Sequence, residues 1–419
     1  MNLQSMGKFY DIDPETCSME ELKTAINNCK NKEEFYHTME QSTKVFINSV
    51  YGAMASQYYV CSNIAIAESI TLQGQDLIKY SVIVLDKYFR DKWKYEYETH
   101  DLIARYMKER FPDFDVEDFK TRCKAGIELR EGETLQVYGD TDSAYISVQP
   151  VIDACGIKTE METEFVLAIN KYILETYLAD MFEKYAEMYN CNKNLEAFEL
   201  EKVARSVIML AKKKYIMDIS WKEPDVHVAP LHSIVYKGIE VIQGSTPAFC
   251  RDMMKDFIKF MLDKLNTGEK PSYDAIIRKL KEIKTKFTLQ SPNEISKSFG
   301  MSDYEKYVLD DKKTLTFTDA VTPIHVRAAA YYNHMLYNKA KKYKSKYNTI
   351  KKGDKVKFYY TADKSVFAFL PNEFPIEFAP KMDIDEQFEK MLLGPLNRII
   401  VASGYPEVSG TLTYSAGLW

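Results

Sequence analysis

The hexapeptide Tyr138-Gly139-Asp140-Thr141-Asp142-Ser143 sets two carboxylates two residues apart. It lies between two β-rich runs, Leu135–Tyr138 and Ala144–Gln149, so the pattern predicts a hairpin with both acids at its tip. Carboxylates this close repel one another unless a cation lies between them, and hard divalent cations prefer such oxygen ligands. A bare Asp-x-Asp is more often a solvated turn. The whole hexapeptide in a β-rich setting favours the metal reading.

Two further groups could do related chemistry. Lys44, Asn48 and Tyr51 are spaced i, i+4 and i+7, which puts them on one helix face, and Gly52 follows directly. A cation and an amide on one face can hold an anion such as a triphosphate. Taken alone, the same residues also describe an ordinary amphipathic helix. Downstream, the alternation in Phe198-Glu199-Leu200-Glu201-Lys202 predicts a strand with Glu199 and Glu201 on one face. Lys212, Lys213 and Lys214 then run into Tyr215, a cationic cluster ending in an aromatic ring that suits a nucleic-acid backbone. Three lysines are more usually a solvated charge run.

The elements that must position these groups are legible in outline. Polar amphipathic helix is expected over 19–40, helix over 41–51, and a longer helix over 64–89 with Ile66, Ile70, Leu77 and Val84 near a 3.6 period. Charged helical segments over 90–133 break at Pro112 and Gly126. Helix is expected again to about Tyr189, strand over 198–220 and a hairpin at Trp221–Pro224. The remainder reads as helix over 245–265, two short strands over 358–370 and a late helix over 384–402.

The 419 residues suffice for two or three domains, and 46% hydrophobic with 28% charged residues is an ordinary globular balance. No apolar run is long enough to span a membrane, and Met1–Tyr10 carries no secretory core. The seven cysteines are scattered without a C-x-x-C and read as reduced thiols of a cytoplasmic protein, and the six histidines lack metal-ligand spacing. The net charge of −5 conceals basic segments at Lys212–Lys214 and between Lys339 and Lys357.

In this order the motifs resemble those of family B DNA polymerases. Lys44-x-x-x-Asn48-Ser49-x-Tyr51-Gly52 resembles the fingers motif, and Tyr138–Ser143 the second catalytic-carboxylate motif. Phe198–Lys202 with Lys212–Tyr215 resembles the later palm elements. Lys237-Gly238-Ile239-Glu240 with Ser245-Thr246-Pro247, then Pro323–Arg327 and Gly353–Val356, resemble thumb segments. The similarity is greatest to the T-even-phage type of replicative polymerase.

The resemblance implies an α+β right-hand fold, with an antiparallel palm sheet, helical fingers and a mainly helical thumb. The domains would be 1–55 (carboxy-terminal half of the fingers), 56–242 (palm) and 243–419 (thumb and tail). It implies DNA synthesis from dNTP on a primer–template, with two Mg²⁺ ions. Asp142 would be the direct metal ligand, Asp140 a supporting carboxylate and Glu201 a third acid. Lys44 and Asn48 would hold the triphosphate, with Lys44 also assisting the leaving group. Tyr51 and Gly52 would inspect the nascent pair, and Lys212–Tyr215 and Arg327 would contact DNA.

The family's Asp-x-x-Ser-Leu-Tyr-Pro motif, its first fingers helix and its exonuclease carboxylates are not found in the sequence. They are expected on a separate amino-terminal polypeptide, making an obligate heterodimer of a split viral polymerase in the cytoplasm of an infected cell. Leu418-Trp419 would dock on a sliding clamp, or else pack on the chain's own thumb. The alternatives are a non-catalytic subunit that holds duplex DNA, and a piece of a longer single-chain polymerase.

Overall fold

The computed structural model describes residues 16–129, 133–140, 143–318 and 321–412. Asp142, the acid on which the metal reading leans most, and the Leu418-Trp419 tail lie outside them.

In chain order the main elements are α1 (Met19–Ala55), α2 (Ile64–Lys87), α3 (Tyr97–Arg110) and α4 (Val116–Ala125). The hairpin strands β1 (Gln136–Asp140) and β2 (Ser143–Ile146) precede α5 (Gln149–Cys155), α6 (Glu162–Ile169) and α7 (Glu175–Met188). Strands β3 (Lys202–Ala211), β4 (Lys214–Lys222), β5 (Val226–His227) and β6 (Ile234–Lys237) are followed by α8 (Ala248–Asn266) and α9 (Tyr273–Thr288). Then come β7 (Lys297–Gly300), β8 (Val308–Asp310), β9 (Thr316–Phe317), α10 (Ile324–Asn338), β10 (Lys355–Tyr360), β11 (Val366–Phe369) and α11 (Gly394–Ala402). The mixture of helix and sheet agrees with the α+β expectation. Every ladder between these strands is antiparallel. Among the described residues no helix is long and apolar enough to cross a membrane.

The chain divides into two compact bodies. The first takes the sequence up to Tyr95 together with Ala125–Pro150 and Met181–Asn194. Its helix α1 is unbroken over 37 residues, where the apolar pattern suggested two stretches. Neither Gly nor Pro interrupts Met19–Tyr51, and Ser18 with Glu21 forms a reciprocal capping box at its start. Of its residues only Ala25 is buried. Helix α2 begins at Asn63, whose Oδ1 accepts the Ile66 amide at 3.1 Å.

The second body takes Glu96–Lys124, Val151–Asp180 and everything from Leu195. Its core joins α8, α9, α10, β10, β11 and α11 through Phe257, Phe287, Tyr332, Phe367 and Phe388, all essentially inaccessible. Strand β4 is the middle of its main sheet, with β3 on one edge and both β5 and β6 on the other. Helices α4 and α5 bring the buried Cys123 and Cys155 sulfurs to 3.7 Å; all seven cysteines are free.

The expectation of one strand over 198–220 is corrected. The chain reverses at Lys212–Lys213, where Lys213 adopts φ 62°, and Tyr215 pairs with Met209 across the turn. Three consecutive cations repel within an extended ladder but separate at an exposed reversal. The strand begins only at Lys202, so Glu199 and Glu201 precede it and the alternation argument for their shared face does not hold. Glu201 is exposed and lies 3.3 Å from Lys202 Nζ.

Candidate active site

Tyr51, Thr71, Ile78 and Asp140 are tied together by α2 in the first body. Lys44 and Asn48 are exposed on α1, lining a shallow concavity with Tyr36, Met39, Thr43 and Ile47. Tyr51 follows on the same face, and its hydroxyl lies 2.7 Å from Thr71 Oγ1 on α2. Thr71 Oγ1 also reaches the Ala67 carbonyl at 3.1 Å. A hydroxyl has one hydrogen, so Thr71 donates to that carbonyl and Tyr51 donates to Thr71. Among the described residues nothing would obstruct a Cβ at Gly52. The absence of a side chain there serves no internal packing and leaves backbone open to an approaching molecule.

The carboxylate hairpin rests on the same helix. Residues Tyr138, Gly139 and Asp140 pair with Tyr145, Ala144 and Ser143, and the two tyrosine rings lie 5.2 Å apart. Gly139 lies close to α2 and to its own strand: a Cβ there would come within 2.7 Å of Gln136 Nε2, displacing that flexible side-chain end, and within 3.5 Å of Ile78 Cγ2. The Asp86 carboxylate accepts the Leu135 amide at 2.9 Å, and Arg90 donates to the carbonyls of Leu129 and Glu133. The end of α2 and the turn beyond it therefore hold the hairpin's root, while Ile78 supports its outer half. Asp140 is half-buried at the strand's end, immediately before the undescribed pair Thr141 and Asp142.

Thr71 and Ile78 are seven residues apart, almost two helical turns, so they form one stripe of α2. One side of one helix carries both the support of Tyr51 and the support of Asp140. Sequence reasoning missed Thr71, Ile78, Asp86 and Arg90 as functional supports, because their partners are distant in sequence.

The second body holds the remaining expected residues. Lys212–Lys214 form the exposed β3–β4 turn, and Tyr215 is buried between Met209 and Lys237. Gly238 sits against this turn at φ 65°, where a Cβ would come within 2.3 Å of the Lys213 carbonyl oxygen. The two motifs Lys212–Tyr215 and Lys237–Glu240 are thus in direct contact. Arg327 is exposed near the start of α10. His325, two residues before it, stacks on Phe299 at 4.8 Å, and burial holds its imidazole below the usual pKa.

A second basic surface surrounds Tyr337. Lys344 Nζ lies 3.8 Å and Lys312 Nζ 5.1 Å from its ring centre. The Asp310 carboxylate accepts the amides of Lys312, Lys313 and Thr314, which fixes the tip that presents these lysines and holds that carboxyl well below its ordinary pKa. Lys339, Lys341 and Lys342 are exposed beside them in sequence. None of Lys312, Lys339, Lys341, Lys342 and Lys344 makes an ion pair among the described residues.

Among the described residues no three His, Cys, Asp or Glu side chains converge to hold a metal. The acids at the hairpin, Asp140 in the structure and Asp142 in the sequence, offer hard oxygen donors only. That donor chemistry fits a magnesium-like ion and excludes a thiolate or imidazole site.

The sequence matches the model of DNA polymerase family B from residue 18 to residue 392. The chain belongs to DNA polymerase family B. Its family B relatives include the DNA-directed DNA polymerase of Enterobacteria phage T4, 22% identical over 74% of this chain and 30% of that protein. The DNA polymerase of Choristoneura biennis entomopoxvirus is 28% identical over 50% of this chain and 20% of that protein. DNA polymerase 1 of Aeropyrum pernix is 24% identical over 86% of this chain and 27% of that protein. This family B chain thus spans between a fifth and a third of the length of these relatives. Polymerases of the family use divalent metal ions.

Proposed function

We propose that this chain is the carboxy-terminal part of a DNA-directed DNA polymerase that adds dNTP units to a primer 3′-hydroxyl. On this reading residues 1–55 belong to the fingers, 56–242 to the palm and 243–419 to the thumb. One observation carries most of the weight: the face bearing Lys44, Asn48 and Tyr51 and the hairpin bearing Asp140 are both braced by a single stripe of α2. Anion grip and carboxylates need fixed spacing if a triphosphate is to meet a hydroxyl.

Asp142 is the direct ligand in this proposal, Asp140 its support and Glu201 an additional acid. When bound there, Mg²⁺ would lower the pKa of the primer hydroxyl and offset charge on the leaving pyrophosphate. Lys44 and Asn48 orient the triphosphate, and Lys44 can pass a proton to the leaving group. Tyr51 presents its hydroxyl oxygen to the nascent pair with its hydrogen already committed to Thr71. Lys212–Lys214 and Tyr215 hold the primer end, while Arg327 and the lysines about Tyr337 follow duplex phosphates.

The complementary aspartate is assigned to a part of the polymerase outside this sequence, which completes the palm and fingers. Supporting this, Val45, Phe46, Ile47 and Val50 on α1 and Ile64, Ile66, Ile70, Leu72 and Ile83 on α2 are all exposed. Two helices of one body showing so much apolar surface call for a cover.

The decisive experiment is primer extension by this chain together with the amino-terminal part of the polymerase. Native assembly should extend the primer, and Asp142→Ala should reduce extension by about 10³-fold or more, the scale on which a principal catalytic group acts. A subunit that only holds DNA would tolerate that substitution, and undiminished extension would refute the catalytic reading.

A further inference from the structure

Helix α2 has an opposite stripe that neither Tyr51 nor the hairpin uses. Gln73, Asp76 and Tyr80 are spaced i, i+3 and i+7, so they align along one side of the helix, turned away from Thr71 and Ile78. This side meets the end of α7. The Tyr185 hydroxyl donates to Asp76 Oδ2 at 2.9 Å, and the Tyr189 hydroxyl donates to the same oxygen at 2.8 Å. Gln73 Nε2 donates to the Tyr185 hydroxyl at 2.6 Å. The rings of Tyr80, Tyr185 and Tyr189 form a ladder, with centres 5.0 and 4.9 Å apart. Every link has a direction: Gln73 to Tyr185 to Asp76, and Tyr189 to Asp76.

We propose that Asp76, with Tyr185 and Tyr189, clamps the back of α2 and so fixes how its front presents Thr71 to Tyr51 and Ile78 to the Asp140 hairpin. Asp76 is then a positioning residue for nucleotide selection. The selection half of this inference rests on the functional reading above; the clamp itself does not. Over residues 71–80 the front of α2 is held by one hydroxyl contact and one methyl contact, with Asp86 gripping the hairpin only at the far end, so this stretch can roll about the helix axis. Rolling would part Tyr51 from Thr71 and lower the support beneath Gly139 together. A carboxylate that accepts two hydroxyls from behind removes that freedom. Tyr185 is nearly buried, which keeps water from competing at the inner link, while Tyr189 is half-exposed and closes the outer one. The two hydrogen bonds also hold the Asp76 carboxyl below its ordinary pKa, so both remain charge-assisted near neutrality.

Two measurements test this. Hydrogen exchange on the chain needs no activity. Asp76→Ala and the milder Tyr189→Phe should raise exchange of the amides over residues 71–80 by about tenfold and about threefold, and unchanged exchange in both would overturn the clamp. The second measurement is the ratio of kcat/KM for correct and mismatched dNTP in the assembled polymerase. Asp76→Ala should lower this ratio about fivefold, while Asp76→Asn, which keeps an acceptor oxygen, stays within about twofold of native. In a Thr71→Val background Asp76→Ala should add nothing further, because both act through one stripe. Additive losses, or a thermal-stability loss with selectivity intact, would reduce Asp76 to a structural residue and overturn the proposal. A native assembly that fails to extend any primer would refute the functional reading and the selection half with it, leaving the exchange result to decide the clamp.

Discussion

The Tyr51 hydroxyl donates to Thr71 Oγ1 across 2.7 Å, because Thr71 directs its own hydrogen to the Ala67 carbonyl. The phenol oxygen therefore keeps its lone pairs for accepting, with its hydrogen committed to Thr71. Removing the Thr71 hydroxyl leaves Tyr51 free to turn its hydrogen outward, reversing the polarity that a bound base pair would meet. Thr71→Val should change stability by about 1 kcal/mol or less, the usual scale for a partly exposed hydrogen bond. Mismatched insertion by the assembled polymerase should rise about five- to tenfold, measured by single-nucleotide insertion kinetics. Unaltered selectivity would detach Tyr51 from pair inspection.

Gly238 offers a sharper stability test. A side chain there meets the Lys213 carbonyl oxygen at 2.3 Å and must also accept φ 65°. The nearest atom is backbone, which cannot swing aside as a side-chain end can. Gly238→Ala should cost about 1–3 kcal/mol, read as a lower urea midpoint at unchanged slope. Because the displaced partner is the Lys212–Lys214 turn, primer–template binding should weaken as well. A variant as stable as native would mean that the turn relaxes freely.

The lysines around Tyr337 predict a salt signature. If Lys312 and Lys344 each neutralise one phosphate, the Lys312→Ala/Lys344→Ala pair should reduce the slope of log affinity against log salt by about 1.8, at about 0.9 per contact. Duplex binding titrations at several salt concentrations measure this. An unchanged slope would place the DNA elsewhere.

Glu377 supplies a pH prediction. Its carboxylate accepts from Lys346 Nζ and from the Tyr347 hydroxyl, both at 2.5 Å, which brings its pKa down to about 2. A folded-state pKa below the unfolded value of about 4.3 favours folding above that value. The contribution is lost as pH falls from about 4.3 through 2. Glu377→Gln should therefore lower thermal stability at pH 6 and make no difference near pH 2. A stability difference that persisted undiminished at the acid end would contradict the assignment.

Local spacing was enough to find some of this and not the rest. Lys44, Asn48 and Tyr51 are legible because helical period alone puts them together. The hairpin at Tyr138–Ser143 is legible because its turn chemistry is contained in six residues. Thr71 lies 20 residues from Tyr51, Asp86 lies 49 from Leu135, and Asp76 lies 109 from Tyr185. No periodicity or propensity carries such pairings; they exist only once α2 has packed. The alternation at Glu199 and Glu201 misled for the opposite reason. It obeys the strand period, but pairing with β4 begins at Lys202, opposite Lys222, and a period without a partner strand makes no face.

Helix α1 has a consequence for assembly. With Ala25 its only buried residue, it draws almost nothing from this chain's interior and depends on its cap, its side-chain neighbours along the helix and whatever is laid across Phe46 and Val50. Lys44 and Asn48 are thus mounted on a beam whose stiffness is lent from outside. On the proposed function, the grip on a triphosphate would then depend on whatever covers α1, and loosening that cover would weaken nucleotide binding before it touched the carboxylate hairpin.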